Sequence, residues 1–342
     1  MNSEDYLDYT NFCFKTFGDR IKLWVTMNEP NGLCINGYNI GIMAPGRCSS
    51  YVGNCTAGNS ATETYIAAHH MLLAHAAAVK LYRAKYEPYQ KGKIGLTIIS
   101  PWFIPKFQTT ASHKAAYRAI DFFLGCFVHP ITYGDYPLTI KSTVGERLPK
   151  FTKDQSKLLT GSFDFLGLNY YTSFYAQLAP FSNYSVNQSY SADIQATLTS
   201  YKNKTPIGIP TALSWLFIFP EGIRDLLLYI KGKYNNPPIY ITENGMPDAN
   251  NNSFPLKEAI KDTLRIKYHH EHLSYLLKVI KEGVNIRGYY IWCFMDDFEW
   301  DNGFTIRFGL TFVDFKNNLN RYLKYSAHWF KMFLSKPSIS CI

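Results

Sequence analysis

Two glutamates stand at the ends of short apolar segments that lie far apart in the sequence. Glu243 follows residues 238–242, a β-branched and aromatic run, and Glu29 follows residues 23–27. Such runs predict buried strands that each carry one carboxylate to the rim of a sheet. A single glutamate before Asn-Gly is more typical of a cap on a turn or helix, but two such strand ends favour a paired site. Two carboxyl groups in different surroundings can divide the work, one holding a proton while the other stays ionised.

The elements that must position this pair alternate along the chain. Strands are predicted near Leu23, Ile94, Phe165, Ile239 and Tyr289, and helices over residues 5–17, 62–86, 113–128, 221–234, 256–282 and 321–334. Alternation of this kind indicates parallel strands joined by crossover helices. The pattern alone fits either a (β/α)8 barrel or a doubly wound sheet. A strand over residues 287–295 is expected to be covered on both faces, and residues 174–210 are expected to form a polar loop beside the site.

Ordered motifs carry a family resemblance from the first residues to about Leu334. The matching segments are FGDRIKLWVTMNEPNG, APGRC, LLAHAAAVKLYRAKY, YGDYP, FDFLGLNYYTS, PEGIRDLL, YITENG and DDFEWDNGFTIRFGL. They resemble the plant-type β-glucosidases of glycoside hydrolase family 1, which are retaining enzymes. The resemblance implies a (β/α)8 TIM barrel, of which residues 1–342 would be a single domain covering strands 4 to 8. The family's first three strands do not occur in this sequence, so we expect a partial, N-terminally truncated barrel.

The resemblance also assigns roles to residues. It implies Glu243 as nucleophile and Glu29 as acid and then base, with carboxyl groups about 5 to 5.5 Å apart. Asn28 would bind the sugar 2-hydroxyl, Tyr171 would orient the nucleophile, and Tyr170 is more typical of the core. The implied substrate-binding set is Asn28, Asn169, Tyr171, Trp215, Trp292, Glu299, Trp300 and Phe308, and the aglycone side would use Asn36, Met43, Trp215 and Asp301. Trp292 would lie under the sugar ring, and an anionic Glu299 on its 4- and 6-hydroxyls would repel a 6-phosphate.

Two functions remain open at this point. The leading hypothesis is a retaining β-glucosidase acting on small-molecule O-glucosides, with a loose likeness to the cyanogenic β-glucosidases. Thioglucosidase-type relatives have glutamine where Glu29 stands, so Glu29 favours O-glucosides. The alternative is a truncated, catalytically impaired glucoside-binding or decoy protein, because the family's early strands supply a glutamine and a histidine that bind the sugar.

Charge and composition narrow the partners. The 35 Lys and Arg residues exceed the 26 Asp and Glu residues, but they form no basic block interleaved with aromatics. We therefore expect a solvated basic surface and no nucleic-acid partner. No stretch approaches the roughly 20 apolar residues of a membrane span, so no membrane partner is expected. The sequence does not decide the oligomeric state, and a homo-oligomer is compatible with it.

Cofactors have no support in the sequence. Phosphate-binding glycine motifs do not occur, so no nucleotide cofactor is expected. His269, His270 and His272 share one helical segment in which neighbouring side chains point apart, and we interpret them as structural rather than as metal ligands. The same interpretation holds for His69 and His75, so the expected metal content is none.

The seven cysteines and the Asn-X-Ser/Thr sequons indicate a compartment. The resemblance implies a disulfide between Cys48 and Cys55, and the odd total leaves at least one thiol free unless chains pair. Sequons occur at Asn54, Asn183, Asn187, Asn203 and Asn251. Together with the family resemblance, these features predict a glycoprotein of the secretory pathway, vacuolar or extracellular. The acidic, polar N-terminal residues are not typical of a signal peptide.

Overall fold

The computed structural model describes residues 3–181, 186–251 and 253–335. The α-helices of these residues are α1 (Ser3–Phe17), α2 (Pro30–Tyr38), α3 (Glu63–Lys85), α4 (Glu87–Gln90), α5 (Thr110–Ile120), α6 (Cys126–Tyr133), α7 (Leu138–Val144), α8 (Lys153–Leu159), α9 (Tyr190–Asp193), α10 (Glu221–Lys233), α11 (Leu256–Ala259), α12 (Thr263–Lys281) and α13 (Tyr325–Leu334). The strands are β1 (Leu23–Asn28), β2 (Lys93–Ile99), β3 (Trp102–Pro105), β4 (Phe165–Asn169), β5 (Ser173–Leu178), β6 (Ala196–Thr199), β7 (Tyr201–Lys202), β8 (Thr205–Pro206), β9 (Ile209–Pro210), β10 (Phe217–Ile218), β11 (Ile239–Glu243), β12 (Asp248–Ala249), β13 (Ile286–Tyr289), β14 (Ile306–Arg307), β15 (Thr311–Asp314) and β16 (Asn320–Leu323).

The main sheet has five parallel strands in the order β1-β2-β4-β11-β13. These are the five strands predicted from the sequence, and their parallel arrangement with helical crossovers is confirmed. Spatial order follows chain order, so each helical connection returns the chain to the next position in the sheet. Within the described residues β1 pairs only with β2 and β13 only with β11. In the described part of the chain, the sheet therefore has two open edges.

Burial falls from the centre of this sheet to its edges. All five residues of β4 are buried, as expected for a parallel strand with both faces covered. On β1, by contrast, the Leu23 and Val25 side chains are 41% and 40% exposed. The expectation of a strand over 287–295 covered on both faces is wrong. β13 ends at Tyr289, and Tyr290 and Phe294 are 53% and 71% exposed, because no further strand covers this side in the described part of the chain.

Three predicted helices are interrupted or shortened by long-range contacts. The helix expected over 113–128 begins at Thr110, contains a π-helical turn at Asp121–Gly125 and continues as α6. The Asp121 carboxylate in that turn binds Thr139, Tyr229 and Lys233. The expected 256–282 helix divides into α11 and α12 before Asp262, whose carboxylate accepts from Arg265 and the Ser326 backbone. Residues 320–323, expected as helix in part, form β16 against β15.

The polar segment expected as a loop over 174–210 contains regular structure. β5 pairs in parallel with β3 and antiparallel with β6, which gives a three-stranded side sheet. Burial in β5 does not alternate, since Ser173 and Ala176 are buried and Leu178 is exposed, so the pairing with β3 and β6 defines this strand. The loop prediction is therefore wrong for β5 and β6.

The predicted disulfide between Cys48 and Cys55 is present, with 5.5 Å between the Cα atoms. Cys13, Cys34, Cys126 and Cys293 are free thiols, and Cys341 lies outside the described residues. The sequon asparagines Asn54, Asn187, Asn203 and Asn251 are exposed, whereas Asn183 lies outside the described residues. A search of the described helices finds none long and apolar enough to cross a membrane.

Candidate active site

The chain turns sharply at Glu29. β1 ends at Asn28, Glu29 takes a left-handed conformation with φ 49° and ψ 47°, and α2 begins at Pro30. This conformation is uncommon for a residue other than glycine and persists only where the surrounding structure enforces it. The Glu29 N–H donates to the Thr97 carbonyl of β2 at 3.0 Å, and proline suits the first helical position because its missing N–H would have no partner there. The turn places Glu29 at the carboxyl end of the sheet.

Glu243 is the last residue of β11 and pairs in register with Asn169, the last residue of β4. The Tyr170 N–H donates to the Glu243 carbonyl at 3.1 Å, so the two strand ends stay joined. On the other side the Trp292 N–H donates to the Asn244 carbonyl at 3.0 Å. A side-chain carbon at residue 245 would lie 1.9 Å from the Trp292 carbonyl oxygen, so only glycine permits this approach. Glu243 is thus held at the same end of the sheet as Glu29.

The side chains of Asn28 and Asn169 connect the two carboxyl groups. Asn169 Nδ2 donates to Glu29 Oε1 at 2.6 Å and to Asn28 Oδ1 at 3.1 Å. Asn28 Nδ2 in turn lies 3.3 Å from Glu243 Oε1. The structure therefore brings together four predicted site residues in one hydrogen-bonded chain that runs from Glu29 to Glu243.

Tyr171 supplies a further donor to Glu243. Its hydroxyl donates to Glu243 Oε2 at 2.7 Å. The Tyr171 ring packs edge-on against Phe308, with centroids 6.2 Å apart, and against Trp215, with centroids 6.1 Å apart. Phe308 is buried, so it supports the tyrosine from behind, whereas Trp215 is 42% exposed and offers an aromatic face beside the carboxyl pair. Tyr170, predicted to be core, is fully buried.

The two carboxyl groups experience different surroundings. Burial, aided by the charges of Glu243 and Glu299, raises the pKa of Glu29 to about 7, although the Asn169 hydrogen bond opposes the rise. Burial also raises the pKa of Glu243, but three donors, Tyr171, Asn28 and Asn169, act against that rise. Hydrogen bonds of this kind favour the ionised form. Glu29 can thus hold a proton near neutral pH, whereas the donors around Glu243 favour its ionised form against the effect of burial.

The segment after β13 brings a third carboxyl group and two tryptophans to the site. Trp292 and Glu299 are half-buried, and Trp300 is 66% exposed. Burial and the charge of Asp297 raise the pKa of Glu299 to about 7, while a hydrogen bond from Trp292 opposes the shift. Glu299 Oε2 is buried, and no group among the described residues donates to it. This oxygen can accept a hydrogen bond from a polar ligand, and its charge is fully developed only above neutral pH.

The predicted aglycone residues fall into three places. Asn36 lies in α2, and its carbonyl accepts a hydrogen bond from the Met43 N–H at 3.2 Å, so these two half-buried residues are neighbours. Asp301 lies in the short 3-10 turn Trp300–Asn302 and is exposed. Trp215 is joined to the site through Tyr171.

Comparison with known proteins decides the family. Residues 2–338 match the sequence model of Glycosyl hydrolase family 1. The chain belongs to this family. The parallel sheet is consistent with the (β/α)8 fold of family 1.

Relatives of this family 1 chain include named plant glucosidases. Beta-glucosidase 17 of Arabidopsis thaliana is 55% identical over 335 residues, which are 98% of this chain and 65% of the relative. Beta-glucosidase 12 of Oryza sativa subsp. indica is 54% identical over 333 residues, 97% of this chain and 65% of the relative. The chain thus spans about 65% of the length of these curated relatives.

Solved structures agree with the sequence relatives. The crystal structure of the rice beta-glucosidase Os3BGlu6 superposes with a TM-score of 0.94 at 46% identity, covering 96% of this chain and 70% of that one. A family 1 beta-glucosidase from the fungus Humicola insolens, solved in complex with glucose, gives a TM-score of 0.91 at 35% identity, covering 97% of this chain and 69% of that one.

A buried ion network behind the site escaped sequence reasoning. The Asp296 carboxylate accepts from Arg307 at 2.6 Å, from Lys324 at 2.9 Å and from the Gly309 N–H at 2.9 Å. Asp296 lies between Trp292 and Glu299 in this family 1 chain, so the network fixes the segment that carries both. The sequence signal for this network is the acidic pair Asp296-Asp297 within an aromatic run. That pair does not reveal that Arg307 and Lys324 are its partners.

Of the three histidines in α12, His269 is linked to Asn244 through the Tyr289 hydroxyl. His269 and His272 are fully buried and His270 is exposed. The Tyr289 hydroxyl lies 2.8 Å from His269 Nδ1 and donates to Asn244 Oδ1 at 2.7 Å, so His269 Nδ1 carries the proton. His69 and His75 are buried as well. Within the described ranges no cluster of three or more His, Cys, Asp or Glu side chains is arranged to hold a metal ion.

Proposed function

We propose that this family 1 chain is a retaining β-glucosidase that hydrolyses the O-glycosidic bond of small-molecule β-D-glucosides. Family membership and the names of its relatives support a glycosidase. The observation that carries the proposal is that the two carboxyl groups differ in their hydrogen-bond donors and in their pKa. Glu243 accepts from Tyr171 and Asn28, whereas burial beside other carboxyl groups raises the pKa of Glu29 to about 7.

The mechanism follows from these two environments. Ionised Glu243 attacks the anomeric carbon, while protonated Glu29 gives its proton to the departing glycosidic oxygen. The C–O bond to the aglycone breaks, and an ester bond forms between the sugar and Glu243. Glu29, now ionised, takes a proton from water, and the water oxygen attacks the anomeric carbon. Glu243 leaves as a carboxylate, and the sugar departs with its original anomeric configuration.

Substrate binding uses the groups around the pair. Asn28 hydrogen-bonds the sugar 2-hydroxyl, a contact that strengthens in the transition state. Trp292 supplies an apolar face to the pyranose, and Glu299 Oε2, which is buried without a donor in the described part of the chain, accepts from the outer hydroxyls. Trp215, which is well exposed, extends the aromatic surface toward the aglycone, and the exposed Trp300 lies next to Glu299 on the side of the outer hydroxyls.

The anomeric configuration of the first-formed sugar tests the proposal. Proton NMR of the first-formed sugar should show β-glucose, and mass spectrometry after incubation with a 2-deoxy-2-fluoro-glucoside should find the label on Glu243. Glu243→Gln, which cannot form the ester, is the matched control for labelling. Appearance of α-glucose first, or a label on another residue, would remove Glu243 as nucleophile.

The open sheet favours a second candidate, a glucoside-binding protein with impaired catalysis. We place the five strands as part of an eight-stranded barrel, and the exposed Leu23, Val25 and Tyr290 side chains lie at or beside its open edges. Binding of a glucose-like inhibitor by calorimetry, together with no turnover above the Glu243→Gln background, would favour this candidate. Turnover above that background would favour the enzyme.

We further propose passage through the secretory pathway. The Cys48–Cys55 disulfide supports it, since such bonds persist in oxidising compartments. The exposed sequon asparagines agree with it. The test of this proposal uses the protein purified from its own source. Treatment with a glycosidase that removes N-linked glycans should increase its electrophoretic mobility.

A further inference from the structure

Thr242 precedes Glu243 on β11 and touches the group that links the two carboxyl groups. Its hydroxyl donates to Asn169 Oδ1 at 2.6 Å. Asn169 is fully buried, and its Nδ2 donates to Glu29 Oε1 and Asn28 Oδ1. The carboxamide therefore has a donor at its acceptor end and acceptors at its donor end.

The orientation of this carboxamide matters for Glu29. If it rotated by 180°, Asn169 Oδ1 would take the place of Nδ2, 2.6 Å from Glu29 Oε1, and an ionised carboxylate would face another acceptor. A protonated Glu29 could instead donate to that oxygen. The rotated form thus favours neutral Glu29, and the observed form favours ionised Glu29.

We propose that Thr242 is a positioning residue that holds the Asn169 carboxamide with its NH2 group toward Glu29, and so adjusts how readily Glu29 releases its proton. This inference rests on the proposed function, which assigns the proton transfer to Glu29. Loss of the Thr242 hydroxyl would leave Asn169 Oδ1 buried without its donor and would make the rotated form competitive.

Other groups act on Glu29 and must stay constant in the test. Glu243 faces it from β11, and Glu299 faces it from the segment after β13. Tyr171, which follows β4, donates its hydroxyl hydrogen bond to Glu243. Asn169 is the hydrogen-bond partner through which Thr242 reaches Glu29, so a change at residue 242 leaves the other groups in place.

The test is a carboxyl titration by 13C NMR on the full chain labelled at the glutamate side-chain carboxyl carbon, with Glu29→Gln to assign the signal. Thr242→Val removes the hydroxyl and keeps the methyl group that faces Gly167. Thr242→Ser keeps the hydroxyl. Thr97→Val is the control, because Thr97 is a buried threonine of β2, on the other side of β4 from Thr242, and its Oγ1 has no hydrogen-bond partner among the described residues.

Thr242→Val should raise the midpoint of the Glu29 titration by about one pH unit, because a donor to the ionised form is weakened. Thr242→Ser and Thr97→Val should leave it unchanged. If circular dichroism shows that Thr242→Val does not fold, Thr242→Ala, which also removes the hydroxyl, replaces it. An unchanged midpoint in the hydroxyl-free variant, or the same rise in Thr242→Ser, would overturn the inference.

The titration midpoint can be measured without turnover. It therefore distinguishes failure of the positioning role from failure of the proposed function. A shifted midpoint in a chain that forms α-glucose first, or none at all, would leave the positioning role standing and reject the proposed function. An unchanged midpoint in an active retaining enzyme would do the reverse.

Discussion

Replacing Glu29 with glutamine should make the fold more resistant to alkaline pH. The pKa of Glu29 rises from an ordinary 4.5 to about 7 on folding, chiefly because the carboxyl group is buried. Below the ordinary pKa both the folded and the unfolded chain hold the proton. Between the two values the folded chain keeps a proton that the unfolded chain has lost, so stability falls as pH rises. Glutamine has no proton to lose in this range.

The size of the effect follows from the shift. One pKa unit corresponds to about 1.4 kcal/mol, so the wild-type chain should lose about 3 kcal/mol between pH 4.5 and pH 8 relative to Glu29→Gln. At about 2.1 cal/mol/K of unfolding entropy per residue, a chain of 342 residues changes its Tm by roughly 4 °C for this free energy. The amide oxygen of the introduced glutamine can still accept a hydrogen bond from Asn169, so the contact seen in the structure is retained.

Differential scanning calorimetry at pH 4.5 and pH 8 measures the difference. The relevant quantity is the change with pH in the Tm gap between variant and wild type, because any pH-independent cost of the substitution cancels. Glu63→Gln, compared between pH 4.5 and a lower pH of about 3, is a control of opposite sign. Hydrogen bonds from Arg47 lower the pKa of Glu63, so its contribution is present above its ordinary pKa and is lost as pH falls.

An equal Tm gap at both pH values would show that Glu29 loses its proton as easily in the folded as in the unfolded chain. The assignment of Glu29 as the acid would then lack its physical basis. A gap that widens toward low pH would point to an ionised, stabilised Glu29 and would contradict the reasoning directly.

Three further predictions concern the same machinery. Tyr171→Phe should lower kcat/KM by about 10- to 100-fold and move the acidic limb of its pH profile upward, because Glu243 loses a charge-assisted donor worth about 1.5 to 3 kcal/mol; unchanged limbs would contradict this. Cys48→Ser/Cys55→Ser should cost about 2.5 kcal/mol, seen as a lower Tm in calorimetry that reductant does not lower further. A version extended with the family's first three strand–helix units should hydrolyse an aryl β-glucoside at least about a hundredfold faster at equal folded concentration, since orientation depends on neighbours for the open edges; equal kcat/KM values would show that five strands suffice.

Local sequence signals predicted the strand ends well. The signal is a β-branched run followed by a carboxylate and a residue that breaks a helix or strand, and it lies within about eight consecutive residues. Glu29 and Glu243 could therefore be placed at strand ends from sequence alone. Their position was correct because burial of such a run requires little information from elsewhere in the chain.

Local sequence patterns could not predict contacts between residues that lie far apart in the chain. α12 begins after Asp262 because that carboxylate is shared with Ser326, 64 residues away. β16 replaces the start of an expected helix because residues 320–323 find a partner strand in β15. The orientation of Asn169 likewise depends on Thr242, a residue 73 positions later. Periodicity cannot report such pairings, since it describes only the face that a segment presents.

The distance between the two carboxyl groups is a property of the sheet as a whole. β1 and β11 are separated by β2 and β4, and three strand spacings in a flat sheet would put them about 14 Å apart. Asn28 at the end of β1 nevertheless lies 3.3 Å from Glu243 at the end of β11. Side-chain reach covers part of this difference, and convergence of the strand ends through curvature of the sheet covers the rest. Asn169, from β4 between them, reaches both sides. Any change that flattens the sheet would separate Glu29 from Glu243 before it disturbed either strand.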